Sequence, residues 1–542
     1  MGSGSTRHIR FRAPSASLAV VVVRPRSGAS EETQWPARRD AGRAGWWSAD
    51  VEAADGDHYG IRIDGGPLLF DPSCWDFEVT ADDPTSIVRQ PWPKSAQGRR
   101  LTEAPVVYEL HVKGFGGSYL GAIEHLDHVV SVGANVVELM PVHPFDARQN
   151  YWGYMPLVWG AVHRGYAQEP HRAAEEFAEF VAAAHERGLH VWLDVVYNHT
   201  GEDEVALGGN GLRGLDPTVY RRHDDGAPTN DSGCGNDIDP SHPWVRELVI
   251  ESLDRYADLG VDGFRFDLAS LLTRDGGGLV TRITEWGIDR SVTLVAEPWD
   301  MGGYQLGHGW PWPSWLQWND RFRDQVRGFV RGEPGLVRAL RQRVQGSPDL
   351  FGPDGAMRSL NFVTAHDGLT LHDLTVRTDD RHHAWDCGEA LRMQQLQHYF
   401  ALLLLSAGVP MWVMGDEFGR TQHGHDDPYD IDGPTTWVDW TTAPDWAELT
   451  DFVRALTALR RRHSLAQFRF HGVGEQADLG WHSHSLAWCS GDLYVMSNAW
   501  WEPLTFEVQQ PGEWRLALAS VTPETSGLTW TLAPRSIVVL ER

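Results

Sequence analysis

The chain has 542 residues, 42% apolar and 22% charged, which excludes a disordered polymer and a single small fold and leaves room for two to four packed domains. Its 47 basic against 74 acidic residues leave a net charge of −27, a balance that repels phosphate backbones and anionic lipid and so excludes nucleic acid and membrane as partners. Residues 1–100 carry short apolar runs (SLAVVVV, HYGIRI, PLLF) broken by Gly, Pro and Asp, which predicts an N-terminal β-sandwich.

From 101 to 465 strand-length apolar runs alternate with helical patterns. The runs are VVYELHV (106–112), NVVELMPV (135–142), HVWLDVVYNH (190–199), DGFRFDLA (262–269), TLVAEPW (293–299), SLNFVTAHD (359–367) and PMWVMGDE (410–417). A weaker run near 316–322 makes eight. Continuous apolar strands of this kind are buried on both faces, as in a parallel sheet. Phe177, Phe180, Val181 and Ala184 recur at helical spacing before Gly188, as do Val245, Leu248, Val249, Leu253 and Tyr256, with Ser241 as the expected N-cap and Gly260 as the stop. The pattern predicts an α/β fold, a (β/α)8 TIM barrel, with a Gly-, Asp- and Asn-rich insertion near 200–241. From 466 to 542 strands and turns return, and a C-terminal β-sandwich is expected.

Polar residues gather at the C-terminal ends of the proposed strands, the rim on which barrel enzymes build their sites. Asp194 and His199 end the third, Arg265 and Asp267 the fourth, Glu297 the fifth, and His366 and Asp367 the seventh. A lone acid is usually a helix cap or a solvated charge. Asp267 and Glu297 each end an apolar strand, where an unpaired carboxylate costs several kcal/mol or shifts its pKa. Arg265, two residues from Asp267, points to the same side and holds that carboxylate ionised. One carboxylate kept charged beside one kept protonated is what a retaining glycosidase needs, with a separation of roughly 5–5.5 Å.

DVVYNHT (194–200), GFRFDLA (263–269), AEPWD (296–300) and TAHDGLTLHDL (364–374), in this order, resemble the four signature segments of the α-amylase superfamily. YELHVKGF (108–115), NYWGY (150–154), GYQLG (303–307), WNDRFRDQVRGFVRG (318–332) and GDEFGRTQ (415–422) resemble the isoamylases and bacterial glycogen debranching enzymes in particular. The resemblance implies a starch-binding type of sandwich before the barrel and a debranching hydrolase that cuts α-1,6 branches of glycogen or limit dextrin. It implies Asp267 as nucleophile, Glu297 as acid/base and Asp367 as the carboxylate that holds the sugar hydroxyls. His199 and His366 would bond the sugar, Arg265 would orient Asp267, Tyr154 would offer a stacking face and Asp194 would support the set. The stretches at 375–389 and 423–434 depart from the family pattern and are expected near the outer subsites.

A 4-α-glucanotransferase or α-1,4 amylase on the same barrel, and a catalytically silent glucan-binding subunit, are the alternatives. Trp310 and Trp312 in GWPWPSWLQW (309–318) are expected on a rim loop, since Pro311 and Pro313 disfavour a helix, and form either a stacking platform for outer glucose units or a cap on the barrel. No metal and no cofactor are expected. Asn198 sits where some α-amylases bind calcium, and His382 and His383 read as solvated loop residues. The cysteines Cys74, Cys234, Cys387 and Cys489 lie far apart without a CxxC pair, which fits a reducing compartment. With no hydrophobic signal at the start, the expected location is the cytoplasm.

Overall fold

The computed structural model describes residues 5–26, 32–79, 84–92, 94, 101–202, 211–311 and 313–542. Near the N-terminus two antiparallel sheets form, one from Ser5–Arg12, Arg38–Arg39 and Trp46–Ala53, the other around Ala19–Arg24 and His58–Ile63. Trp47, Ala49, Val51 and Ala53 alternate inward along one strand, the period-two pattern of a sheet with one wet face.

Eight parallel strands close a barrel: β1 (Val107–Leu110), β2 (Val136–Leu139), β3 (His190–Val195), β4 (Gly263–Phe266), β5 (Thr293–Ala296), β6 (Trp315–Asn319), β7 (Ser359–Phe362) and β8 (Val409–Val413). Every residue of β1 to β4 is buried, as continuous apolar strands require. The weak sixth run is a strand only to Asn319. From there its Oδ1 accepts from the Phe322 amide and caps the next helix. Val107, Val136, Trp192, Val295, Trp318, Leu360 and Met411 fill the interior. Gly263 is required here, because a Cβ would come within 2.5 Å of the Trp192 ring.

The surrounding helices include α1 (Ala173–Glu186), α2 (Pro243–Asp258), α3 (Gly278–Arg290), α4 (Asp320–Arg331), α5 (Glu389–Leu404) and α6 (Ala447–Arg462). The expected apolar faces of α1 and α2 are buried. The cap of α2 is His242, whose Nδ1 accepts from the Trp244 amide, and not Ser241; Pro243 takes the first helical position, where its missing N–H costs nothing.

Closure joins β1 to β8, with Val107 opposite Met411. Buried Glu417, just past β8, accepts from Tyr108 Oη at 2.9 Å and from Trp412 Nε1 at 3.2 Å, and pairs with His128 Nε2 at 2.7 Å. The N-terminal sheets dock on the barrel through Arg12 on Asp216 at 2.9 Å and through Arg255 on the carbonyls of Ser73 and Cys74.

The C-terminal region forms a five-stranded and a three-stranded antiparallel sheet around Tyr494, Met496, Phe506, Trp530 and Leu540. Arg535 ties it to the barrel: its Nη1 donates to the Val330 carbonyl at 2.9 Å, and its own carbonyl accepts from Gln395 of α5. Among the described residues no helix is long and apolar enough to cross a membrane.

Candidate active site

Strand register brings the polar residues of β3, β4 and β5 to one level. Asp194 lies beside Arg265, and Arg265 beside Val295, so Asp267 and Glu297 emerge together just beyond the strand ends. Arg265, fully buried, is the hub. Its Nη1 donates to Asp194 Oδ1 and Oδ2 at 3.0 and 2.8 Å and to Asp267 Oδ1 at 3.1 Å. Its Nη2 lies 3.0 Å from Glu297 Oε2, an ion-pair contact without hydrogen-bond alignment. The guanidinium lies 4.2 Å over the Trp318 ring, which covers its flat face.

Three carboxylates around one guanidinium leave an excess of negative charge in a low-dielectric site. Burial, opposed by Arg265 and reinforced by Asp267 and Asp367, pushes Glu297 up to about 8. Asp194 is raised to about 6, again by burial against the pull of Arg265. Asp267 Oδ2 accepts from Asn198 Nδ2 at 2.8 Å, so both its oxygens are held by donors. Glu297 Oε2 accepts from the Leu268 amide at 2.8 Å. Leu268 adopts φ 38° and ψ 47°, a left-handed conformation that costs a non-glycine residue roughly 1–2 kcal/mol and is tolerated where it aims a donor at the site.

The other wall comes from β1, β7 and the loop after β2. His366 Nδ1 pairs with buried Glu109 Oε1 at 2.7 Å. Burial lowers the His366 pKa, but Glu109 and Asp367 outweigh it and carry it up to about 9. Among the described residues nothing in the protein bonds Nε2. Tyr154 Oη donates to Asp194 Oδ2 at 2.6 Å, and its ring stacks on His366 with centroids 4.9 Å apart. The crowded cleft pushes Asp367 up, yet His366, Arg323 and Arg265 together hold it below the usual carboxylate range.

Asp267, Glu297, Asp367, Arg265, Asp194, Tyr154 and His366 therefore converge. His199 does not present a ring nitrogen to the cleft: Nδ1 is bonded to Asn198 Oδ1 and Nε2 lies 2.7 Å from the Tyr154 carbonyl, so the expected sugar contact is replaced by a bond that pins the Tyr154 loop. Trp310 also departs from expectation as a stacking platform. It is 6% exposed, packs tilted on Trp315 at 5.2 Å and belongs to the core, because the turn folds it inward over β6. Trp312 lies outside the described residues.

Sequence reasoning overlooked Asn198 and Glu109 as parts of the site. Glu109 lacks the strand-end signal of Glu297, since it stands inside β1, as its register partner Glu138 stands inside β2; Glu138 is buried with no hydrogen-bond partner at either oxygen among the described residues. Asp379, His382 and Asp426 bring donor atoms close enough to share a cation, but Arg381 already donates to both carboxylates, at 2.9 and 3.1 Å.

Beyond Asp367 a cavity of about 520 Å³ opens between Asp320 and Arg323 of α4 and the hairpin pairing Trp299–Asp300 with Gly303–Tyr304. The hairpin is clamped from below. Asp300 accepts from Arg274 Nη2 at 2.6 and 2.7 Å and from Ser270 Oγ at 2.7 Å. Arg274 also pairs with Asp231 of the insertion, whose carbonyl accepts from the Met301 amide. Tyr304 Oη donates to Asp320 at 2.7 Å.

The α-amylase catalytic-domain family matches residues 59–208. Over 525 residues the chain is 34% identical to the glycogen operon protein GlgX homolog of Mycobacterium tuberculosis, covering 82% of this chain and 72% of that one. It is 32% identical to isoamylase SU1 of Zea mays, over 87% of this chain and 69% of the relative. It is 32% identical to a glycogen debranching enzyme of Klebsiella pneumoniae, over 93% and 88% of the two chains. The fold is also that of the pullulanase from Paenibacillus barengoltzii solved with maltohexaose and α-cyclodextrin, with a TM-score of 0.85 at 23% identity, covering 100% of this chain and 95% of the other.

Proposed function

Because the chain belongs to the isoamylase and glycogen debranching branch of the α-amylase family, we propose that it is a debranching hydrolase, cleaving α-1,6-glucosidic branch linkages of glycogen or limit dextrin with retention. The observation that carries this reading is the pair of carboxyl groups set on one buried guanidinium in unlike surroundings. Asp267 is held by two donors, and Glu297 is pushed up to about 8. A nucleophile must be ionised and a general acid protonated at the same pH.

In the first step an Asp267 oxygen attacks the anomeric carbon at the branch. The bond from that carbon to the 6-oxygen of the main chain breaks, and the proton of Glu297 passes to that oxygen. This leaves a glucosyl ester on Asp267. In the second step Glu297, now ionised, takes a proton from water, whose oxygen attacks the same carbon and releases Asp267 as carboxylate. Arg265 offsets negative charge on both carboxyls through the cycle. Asp367 accepts from sugar hydroxyls, and His366 donates from Nε2, since Nδ1 is committed to Glu109. A silent binding subunit has no use for this pair, and the intact set speaks against it. The spacing of Cys74, Cys234, Cys387 and Cys489, far apart in the chain and without a CxxC pair, supports a reducing cytoplasm as the setting.

Incubation with phosphorylase-limit dextrin, native glycogen and linear maltoheptaose tests the reading, with products resolved by size. Release of linear oligosaccharides from the branched substrates, with maltoheptaose left intact, is expected. Shortened or lengthened products from maltoheptaose would identify an α-1,4 amylase or a glucanotransferase instead.

A further inference from the structure

The large apolar side chains exposed on this protein include Leu18, Ile288 and Leu528 and, in the C-terminal region, three tryptophans. Trp481 is 65% exposed, Trp500 37% and Trp501 54%. Trp481 lies in the turn before the strand Ser485–Ser490, and Trp500 and Trp501 in the turn after its partner Leu493–Asn498. The two strands pair antiparallel with Ser485 opposite Asn498, so both turns sit at the same end of the sheet.

Each indole is backed on one side by the protein. Trp501 lies 3.5 Å from the guanidinium carbon of Arg535, with Trp385 edge-on at 5.5 Å. Trp500 stacks on His484, centroids 5.0 Å apart and planes within 18°. Trp481 covers Gly335, where a Cβ would come within 2.7 Å of its ring, and its carbonyl accepts from the Gly335 amide at 2.8 Å. The Arg535 guanidinium presses in the same way on Gly332. Gly332 and Gly335 are three residues apart and hence at most about 10 Å. Trp481 and, through Arg535, Trp501 thus share one turn as their bed, with Trp500 next to Trp501 in the chain and all three exposed.

We propose that Trp481, Trp500 and Trp501 form a second, non-catalytic binding surface for the outer chains of a branched α-glucan, a proposal that rests on the debranching reading above. A rigid, backed indole with one bare face suits the C–H face of a pyranose ring, and little side-chain entropy remains to be lost on stacking. The exposed polar neighbours His482, Glu502 and Asp386 supply partners for hydroxyl groups at the edge of the rings. A net charge of −27 opposes docking of a second copy or of a polyanion, whereas a neutral polyol meets no such barrier. The surface is also joined to the cleft. Trp385 belongs to the loop that leaves β7 through Asp367, and His382 of that loop passes over Gly368. A chain held on the platform raises the local concentration of its branch points at the cleft without adding any contact to the scissile sugar.

The test uses the full chain. In an Asp267→Asn background, glycogen co-sedimentation compares the platform intact with Trp481→Ala plus Trp501→Ala. The expected result is a loss of glycogen affinity of about tenfold. In the otherwise wild-type enzyme the same pair should raise KM for glycogen similarly, with kcat/KM for a short branched oligosaccharide unchanged. Hydroxyl-radical footprinting of the Asp267→Asn protein needs no platform variant, and glycogen should protect Trp481 and Trp501 from oxidation. Unchanged glycogen affinity, or absence of protection, overturns the platform while leaving the debranching reading intact. A change of oligomeric mass on substitution, with glucan affinity unaltered, overturns it in favour of a self-contact. No glycogen binding by the Asp267→Asn protein at all, together with no cleavage by the wild type, overturns both readings.

Discussion

Arg265 contacts three carboxyl groups at once, so substitutions around it separate charge from shape. Asp267→Asn and Glu297→Gln keep the volume of the site and should lower kcat on limit dextrin by several orders of magnitude while glycogen binding stays near wild type. Steady-state kinetics beside co-sedimentation checks this, and more than a tenth of wild-type turnover in either variant would refute the assignment. The raised Glu297 predicts a bell-shaped kcat/KM profile whose alkaline limb falls near pH 8, because the leaving oxygen needs the proton that Glu297 then lacks. A profile level from pH 4 to 9 would contradict the division of roles. His366 supplies a stability test. Its pKa is carried up to about 9 in the folded protein from 6.5, so the stabilisation from its pairing with Glu109 is complete below pH 6.5 and is lost as pH rises through 9. Glu109→Gln should lower Tm at pH 6, where breaking a buried pair costs about 3 kcal/mol, and flatten the decline between pH 6.5 and 9. Thermal melts of both proteins at three pH values decide it, and parallel curves would exclude the pairing.

At the level of elements, the hairpin pairing Trp299–Asp300 with Gly303–Tyr304 is held by groups outside the catalytic set. Arg274 joins it to the insertion through Asp300 and Asp231. Removing the guanidinium leaves the buried Asp300 carboxylate without its main cation, so the hairpin loosens while Asp267 and Glu297 keep their own partners. Arg274→Ala should therefore raise KM for branched substrates about tenfold with a much smaller change in kcat. An equal fall of kcat with KM unchanged would place the clamp in the chemical step instead. The cap of α2 makes a related point on a smaller scale. Ser241 looked suitable by residue type, but Pro243 fixes the first helical position and leaves the capping place to His242.

For the molecule as a whole, the strands were legible because continuous apolar runs alternate with helical patterns, and the third, fourth, fifth and seventh runs end in polar residues that have no reason to be there except a site. Asp267, Glu297 and Asp367 announce themselves in this way. Glu109 and Glu138 do not, since they stand inside β1 and β2 and their neighbours come from strands distant in sequence. His199 was legible as a site residue but not in its bonds, because the Tyr154 carbonyl that engages it lies 45 positions earlier. The prolines around Trp310 rule out a helix but cannot tell whether the turn folds its indole out or in. Arg535 binding the Val330 carbonyl left no mark in either local sequence. The closure of β1 on β8 has a further consequence, for the newly made chain. The Val107 edge waits for Met411, some three hundred residues later, and until then β1 offers an unpaired strand edge to any neighbour. Glu417, with Tyr108, Trp412 and His128 around it, can latch the ring only after that late arrival. Barrel closure is therefore a long-range step that belongs to one seam, and a ribosome-bound chain stalled before β8 keeps that edge open to aggregation.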